Sequence, residues 1–386
     1  MSPDSRMGSG SSHTSTQYSA PRILGAVFCV LGLFAIASCD KKSGTPEWDT
    51  PASQLPSTSS DALPLSPHAL PVVPKTAAAR SDDQPEPAPE SGKSRGIEPA
   101  KKGTAPASGN PGTAGLRFMT YNVENWLTMD RYVDGKSLKR TPKPDKEKQA
   151  IIALVARQSP DVIGICEIGE ASDLAEIQEK LKTAGLSLPH LYYTGGTDPT
   201  RHLGILSRFP VTSTSKPAET EYQLDGKTFG MNRGILDATI EARGKSYRFV
   251  GVHLKSKRDS EQGDQEAIRL NEAHLLRRHL DSIIQADPAA RVVLYGDFND
   301  TRATPALKAI TGNYNSPTYM TAIPANDSNN EAWTHYWALN DIYSRIDYVM
   351  TSPALKPDVD FKASKIIDDA DWNDASDHRA ILAIFK

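Results

Sequence analysis

Cysteine is scarce. The 386 residues contain three, Cys29, Cys39 and Cys166. That is too few for a disulfide framework, and no Cys-x-x-Cys pair offers a zinc site. An excess of positive charge is also missing. Lys and Arg number 44 against 47 Asp and Glu, a formal net charge of −3. Tight, extended binding of a polyanion calls for a more basic surface. A near-neutral surface does not exclude cutting phosphodiesters, and a metal site built from carboxylates would itself tip the balance to the acidic side. The apolar run Ile23–Ala37 (ILGAVFCVLGLFAIA), about 15 residues, is short for a membrane span but suits the core of a signal peptide. Between Lys41 and Gly115 aromatics are almost absent, Trp48 excepted, while 13 of the 28 prolines fall there. Such a stretch has too little apolar surface to offset its ordering entropy and reads as a Pro/Ser/Ala-rich tether. Length alone would allow two or three domains. Composition leaves one, an α/β domain over residues 116–386, with 34 bases against 37 acids.

The apolar run follows Arg22 and ends in Ile36-Ala37-Ser38-Cys39, which resembles the lipobox of bacterial lipoproteins. The resemblance implies a signal peptide over 1–38, a lipidated Cys39, a tether over 39–115, and a catalytic domain held outside the cytoplasm on a membrane of a bacterial envelope. An ordinary signal peptide with an incidental cysteine is the plainer alternative.

Within the domain, Leu116–Asn122 alternates like a strand, and Asp145–Gln158 has helical spacing with Asp145 as a cap candidate. Asp161–Ile168 is a short apolar run of the kind buried in a sheet. Ser172–Leu181 and the amphipathic Asp264–Ile284 read as helices. Leu203–Ser207, Gly234–Ile240, Tyr247–His253, Arg291–Gly296, Ile346–Met350 and Arg379–Phe385 read as further strands. Strands and helices do not alternate regularly, which favours two packed sheets flanked by helices over a doubly wound sheet.

The polar residues that stand out follow these apolar runs: Asn122, Glu167, His253, Asp297 and Asn299, Asp347, Asp377 and His378. A carboxylate at the end of a buried strand costs free energy unless it is paired or holds a metal. Oxygen donors with a few imidazoles suit magnesium or manganese better than zinc. Each residue also has a plainer reading: a turn for Asn122 and for Gly296–Asp300, a solvated terminus for Glu167, a helix cap for Asp377, a satisfied core side chain for His253, a surface charge for Arg233.

The segments TYNVEN, ICEIGE, GILSRFP, NRGILDA, VGVHLKS, YGDFND, RIDYVM and SDHRA resemble, in order, those of the endonuclease/exonuclease/phosphatase superfamily of deoxyribonuclease I, neutral sphingomyelinases and inositol-polyphosphate phosphatases. The likeness implies a four-layer α/β sandwich and a phosphoester hydrolase. It implies that Glu167, with Asn122 beside it, holds magnesium or manganese, with calcium a further candidate, and that Asp377 belongs to the metal shell. Asp297 would orient or deprotonate the attacking water, and Asn299 would bond a phosphate oxygen or the metal shell. His378 would steady charge on the phosphate, with Asp347 fixing its tautomer. His253 matches a second histidine of deoxyribonuclease I, an acid for the leaving oxygen, with no carboxylate partner identifiable in the sequence. Arg233 matches an arginine that touches phosphate. Lys255, Lys257 and Arg258 directly follow His253, so a basic rim to the same pocket is expected, suited to nucleic acid; a solvated basic loop is the alternative. Trp333, Tyr336 and Trp337 read as stacking faces for bases or as core aromatics. A nuclease leads; a phospholipid head-group or small phosphate-ester hydrolase is the second reading, and a non-catalytic binding protein a remote third. No protein partner is implied.

Overall fold

The computed structural model describes residues 115–133, 136–258 and 260–386. The signal-peptide, tether and Cys39 expectations fall on residues 1–114, outside the described residues.

Two six-stranded sheets face each other. The first runs Lys365–Ile366, Ile381–Phe385, Leu116–Trp126, Val162–Ile168, His202–Ser207, His190–Thr194. The second runs Thr321–Ala322, Asp347–Thr351, Val292–Asp297, Lys245–His253, Ile235–Ala242, Val211–Thr214. Side chains alternate across each strand, so one set points between the sheets and the other outward. Leu116, Phe118, Val162 and Ile205 of the first sheet meet Leu236, Phe249, Tyr295 and Val349 of the second in one buried cluster. Tyr295 lies across this interior; a Cβ on Gly164 or Gly251 would come within 2.0 or 2.6 Å of its ring, so both positions require glycine.

The outward set of each sheet carries a helical layer. Met119, Tyr121, Ile163 and Ile165 pack on Ile151 and Val155 of the helix Asp145–Gln158 and on Leu174 and Ile177 of Ala171–Thr183. Val250, Val252, Val292 and Leu294 pack on Ile268, Leu276 and Leu280 of Gln265–Ala286 and on Leu307 of Pro305–Thr311. The result is a helix–sheet–sheet–helix sandwich of four layers.

The expected helices and strands recur with ends displaced by at most two residues, except that the first strand runs four residues past Asn122 to Trp126. Asp145 proves to be the first helical residue, with Pro144 in the cap position, whereas the Asp264 carboxylate does cap its helix, accepting from the Glu266 and Ala267 amides. Three hairpins gave no periodic signal, being short and largely exposed: Met129–Val133 with Lys136–Thr141, Glu221–Leu224 with Lys227–Gly230, and His335–Trp337 with Ile342–Ser344. Among the described residues no helix is long and apolar enough to cross a membrane.

Candidate active site

Alternation carries on to the strand ends, and there it delivers polar groups instead of core. Asn122 follows Leu116 and Phe118 on the interior face of its strand, His253 follows Tyr247 and Phe249, and Asp297 follows Val293 and Tyr295. Register then sets three of them side by side: His253 opposite Asp297, and Asp297 opposite Asp347. All four are buried.

Glu167 breaks this parity. Its neighbours Ile163 and Ile165 pack outward, yet the Glu167 side chain reaches the interior group, because its backbone has φ of 66° and the pairing of its strand is irregular at that point. Glu124, Asn125 and Asn299 also adopt left-handed φ of 47°, 60° and 49°. Non-glycine residues hold such angles at a cost of order 1–3 kcal/mol each, and clustering of that strain is a mark of a functional site.

The Asn122 amide is the junction. Its Nδ2 donates to Glu167 Oε1 at 3.2 Å and to Asp297 Oδ2 at 3.1 Å, and lies 3.4 Å from His378 Nε2. Its Oδ1 accepts from the Glu124 amide. Glu167 Oε2 accepts from the Asn125 amide at 3.0 Å. Asp297 Oδ1 accepts from the Asn299 amide at 2.8 Å, while Asn299 Nδ2 is held by the Leu254 carbonyl at 3.0 Å. His378 Nδ1 lies 2.8 Å from Asp347 Oδ2, the carboxylate partner expected for it. Ser376 Oγ, bonded to the Asn122 carbonyl, accepts from the His378 amide and fixes the approach of that chain segment.

Burial and mutual repulsion set the protonation states. Burial, then the nearby Asp347 charge, pushes the Asp297 carboxyl up to about 7. His378 is pulled down by burial, but the Asp347 charge and hydrogen bond, with Asp377 and Asp297 beyond, raise it well above the ordinary imidazole value. His253 goes the other way: burial, then Arg233, His378, Arg201 and Lys255, hold it well below that value, so its ring is neutral. Its Nε2 lies 3.7 Å from Glu167 Oε1 and 3.5 Å from Asp297 Oδ2, and its Nδ1 has no partner among the described residues. A neutral ring facing two carboxylates fits a metal ligand or a hydrogen-bond donor better than the proton-delivering acid expected at this position.

These residues fit a divalent cation. Glu167, His253 and Asp297 each offer an atom within 4.8 Å of the others, as do Asp297, Asp347 and His378. Carboxylates crowded until one is pushed to about 7 are what a cation would relieve. Asp377 stands apart from Glu167, in a third group with His335 and His378. Its side chain is half exposed, 3.7 Å from His335 Nε2, and its carboxyl sits below the usual range, burial being outweighed by His335 and His378.

Of the expected basic rim, Lys255 is buried and lies close enough for its charge to act on His253. Lys257 instead pairs with Asp300 at 2.9 Å, a carboxylate that also binds Arg269, and Arg258 is exposed. Local sequence could not reveal that Asp300 takes the Lys257 charge. Arg233 is buried beside Asp198. Sequence reasoning passed over Glu124, whose carboxyl burial and Asp377 push up to about 7, along with Arg201 and His335. Glu124 sits two residues from Asn122 in the same motif; Arg201 and His335 carried no local signal. Of the aromatics, Trp333 is half-buried against Trp372 and under Arg379, Tyr336 stacks on Tyr343, and Trp337 is exposed.

The model of the Endonuclease/Exonuclease/phosphatase family matches residues 119–378, from the first strand through His378. Similar solved structures include a protein of that family from Leptotrichia buccalis (16% identity, covering 70% of this chain and 99% of that one, TM-score 0.48). Others are a 3′ phosphatase from Neisseria bound to product DNA hairpin (15%, 70% and 99%, TM-score 0.49) and sphingomyelinase C from Streptomyces griseocarneus (16%, 71% and 100%, TM-score 0.47). No curated protein matches the chain. With the match running over most of its length and spanning every residue from Asn122 to His378, the chain belongs to the endonuclease/exonuclease/phosphatase family of phosphoester hydrolases.

Proposed function

We propose that the protein is a divalent-metal-dependent phosphodiesterase that cuts nucleic acid outside the cytoplasm, tethered to a membrane through a lipid on Cys39. One observation carries the phosphodiesterase reading: Asn122 and Glu167 from one sheet face His253, Asp297 and Asp347 from the other, with His378 closing the group. Magnesium or manganese held by Glu167, with His253 and Asp297 in reach, would polarise the scissile phosphate. Asp297, buried beside Asp347 with Oδ1 held by the Asn299 amide, would accept a proton from the attacking water. His378, kept protonated by Asp347, presents Nε2–H to a phosphate oxygen and offsets charge that builds there. Asn122 holds the Glu167 and Asp297 carboxylates in fixed relation. The proposed anchor at Cys39 rests on the lipobox-like segment alone.

One feature favours a second reading. The hairpin His335–Trp337/Ile342–Ser344 exposes Trp337, Leu339, Ile342 and Tyr343 next to His378, whose ring lies 4.7 Å from that of His335. An apolar surface there would suit a lipid interface as well as unstacked bases. Turnover with magnesium on DNA, RNA and sphingomyelin vesicles, stopped by chelator, separates the two. Cleavage of DNA or RNA is expected; hydrolysis of sphingomyelin alone would overturn the nuclease reading.

A further inference from the structure

From the geometry we infer that Arg201, Arg233 and Lys255 form a second anion subsite, which takes the phosphate flanking the one that is cut and turns away a cationic head group; this rests on the phosphodiesterase reading above.

The three cations come from distant parts of the chain and are tied together by two carboxylates. Asp198 lies 3.2 Å from Arg233 Nε through Oδ2, and its Oδ1 accepts from the Thr200 and Arg201 amides. Glu272, fully buried on the helix Gln265–Ala286, accepts from the Asn232 amide at 2.9 Å and from the Lys255 amide through its second oxygen. It thereby clamps the two segments that carry Arg233 and Lys255. Arg201 is linked to the centre by one relay: its Nε donates to Asn125 Oδ1 at 2.9 Å, and the Asn125 amide donates to Glu167.

The cluster has donors to spare. Arg233 has a side chain only 9% exposed; its Nε faces Asp198 Oδ2 as an ion pair, and its Nη1 has no hydrogen-bond partner among the described residues. A buried guanidinium left in that state costs free energy unless an acceptor arrives. Asp198 Oδ1 and both Glu272 oxygens already accept from backbone amides, which leaves only Asp198 Oδ2, beside Arg233 Nε, to offset the guanidinium charge. Three positive charges against two carboxylates leave the cluster with a net positive charge.

Strand order fixes where that surplus lies. Across the first sheet the sequence of site residues is His378, Asn122, Glu167, Arg201, the last beside the register pair Ile168–His202. Across the second it is Asp347, Asp297, His253, then Arg233, two residues before the register pair Ile235–Val252. Both rows therefore end on a cation one strand spacing, about 5 Å, beyond Glu167 and His253. That offset suits the next phosphate along a chain with a repeating charge, not the one being cut. A choline-type head group would meet like charge in the same place.

The test compares thymidine 5′-(4-nitrophenyl phosphate) with the same compound carrying a 3′-phosphate, and with 4-nitrophenylphosphorylcholine, using the full chain and magnesium. The flanking phosphate should raise kcat/KM about tenfold or more, mostly through KM, as expected for charge-assisted contacts. Arg201→Gln and Lys255→Gln should each draw that ratio towards one, with Arg201→Lys retaining most of it, and the choline ester should be the poorest substrate of the three. In parallel, calorimetry in chelator should show tighter binding of thymidine 3′,5′-bisphosphate than of thymidine 5′-phosphate, a preference lost in Arg201→Gln. No preference in the parent, or an unchanged preference in both variants, overturns the subsite. If none of the esters is hydrolysed yet the bisphosphate preference follows Arg201, the subsite stands and the phosphodiesterase reading falls.

Discussion

Asp347→Asn tests the role assigned to His378 at nearly constant shape. The carboxylate oxygen lies 2.8 Å from His378 Nδ1 and both side chains are 6% exposed, so solvent screens the pair little. At an effective dielectric of about 20, unit charges at that separation attract by about 6 kcal/mol before desolvation is set against it. Asparagine can still accept the Nδ1–H bond, so the ring stays oriented, but the charge that keeps it protonated is gone. A group that stabilises developing charge on phosphate is worth about 10²–10³ in rate, roughly 3–4 kcal/mol. The variant should therefore lose about 100- to 1,000-fold in kcat on bis(4-nitrophenyl) phosphate, with KM and the magnesium concentration for half-activity nearly unchanged, because Glu167 and Asn122 are untouched. Thermal unfolding establishes that the variant is folded. A folded variant that keeps more than a tenth of parental kcat would refute the reasoning; a shift in metal requirement equal to the loss in rate would place Asp347 in the metal site instead.

Glu167→Gln should act on the metal. Magnesium added to chelator-treated protein should raise the parent's melting temperature, by linkage worth about 2.7 kcal/mol at a hundredfold excess over Kd, and the variant should need more magnesium both for this rise and for half-activity; identical titrations would reject Glu167 as a ligand. Asp237 carries a stability prediction. Burial would raise its carboxyl, but hydrogen bonds from His279 at 2.8 Å and from Arg248 hold it below the usual range. A depressed carboxylate adds stability above its unfolded value, near 3.9, and that contribution is lost as pH falls through the folded value. Asp237→Asn should thus lower stability by about 1–3 kcal/mol at pH 7 and by progressively less in urea titrations below about pH 4, whereas a constant difference would contradict the linkage. For the anchor, Cys39→Ser should abolish membrane partitioning in cell fractionation; unchanged partitioning would remove the lipoprotein proposal.

The sequence by itself determined the local elements and the identity of most of the polar set. Two-residue alternation marked the strands, and with the strands came the interior placement of Asn122, His253 and Asp297, since a side chain's face follows from its parity with Phe118, Phe249 and Tyr295. The order of the motifs supplied the family. Tertiary structure decided the rest, because parity and propensity are local while the site is not. Asn122 meets Asp297 across 175 residues of chain and His378 across 256. Glu167 enters the cleft only through a left-handed backbone angle that an apolar run with a terminal acid does not announce. Neighbours in sequence, Lys255 and Lys257, part company because Asp300 captures the second. Arg201 and Arg233, 32 positions apart in the numbering, come together because both flank Asp198. Sheet order and the packing of one sheet on the other fix such pairings, and both depend on the whole hydrophobic interior rather than on any single stretch of it.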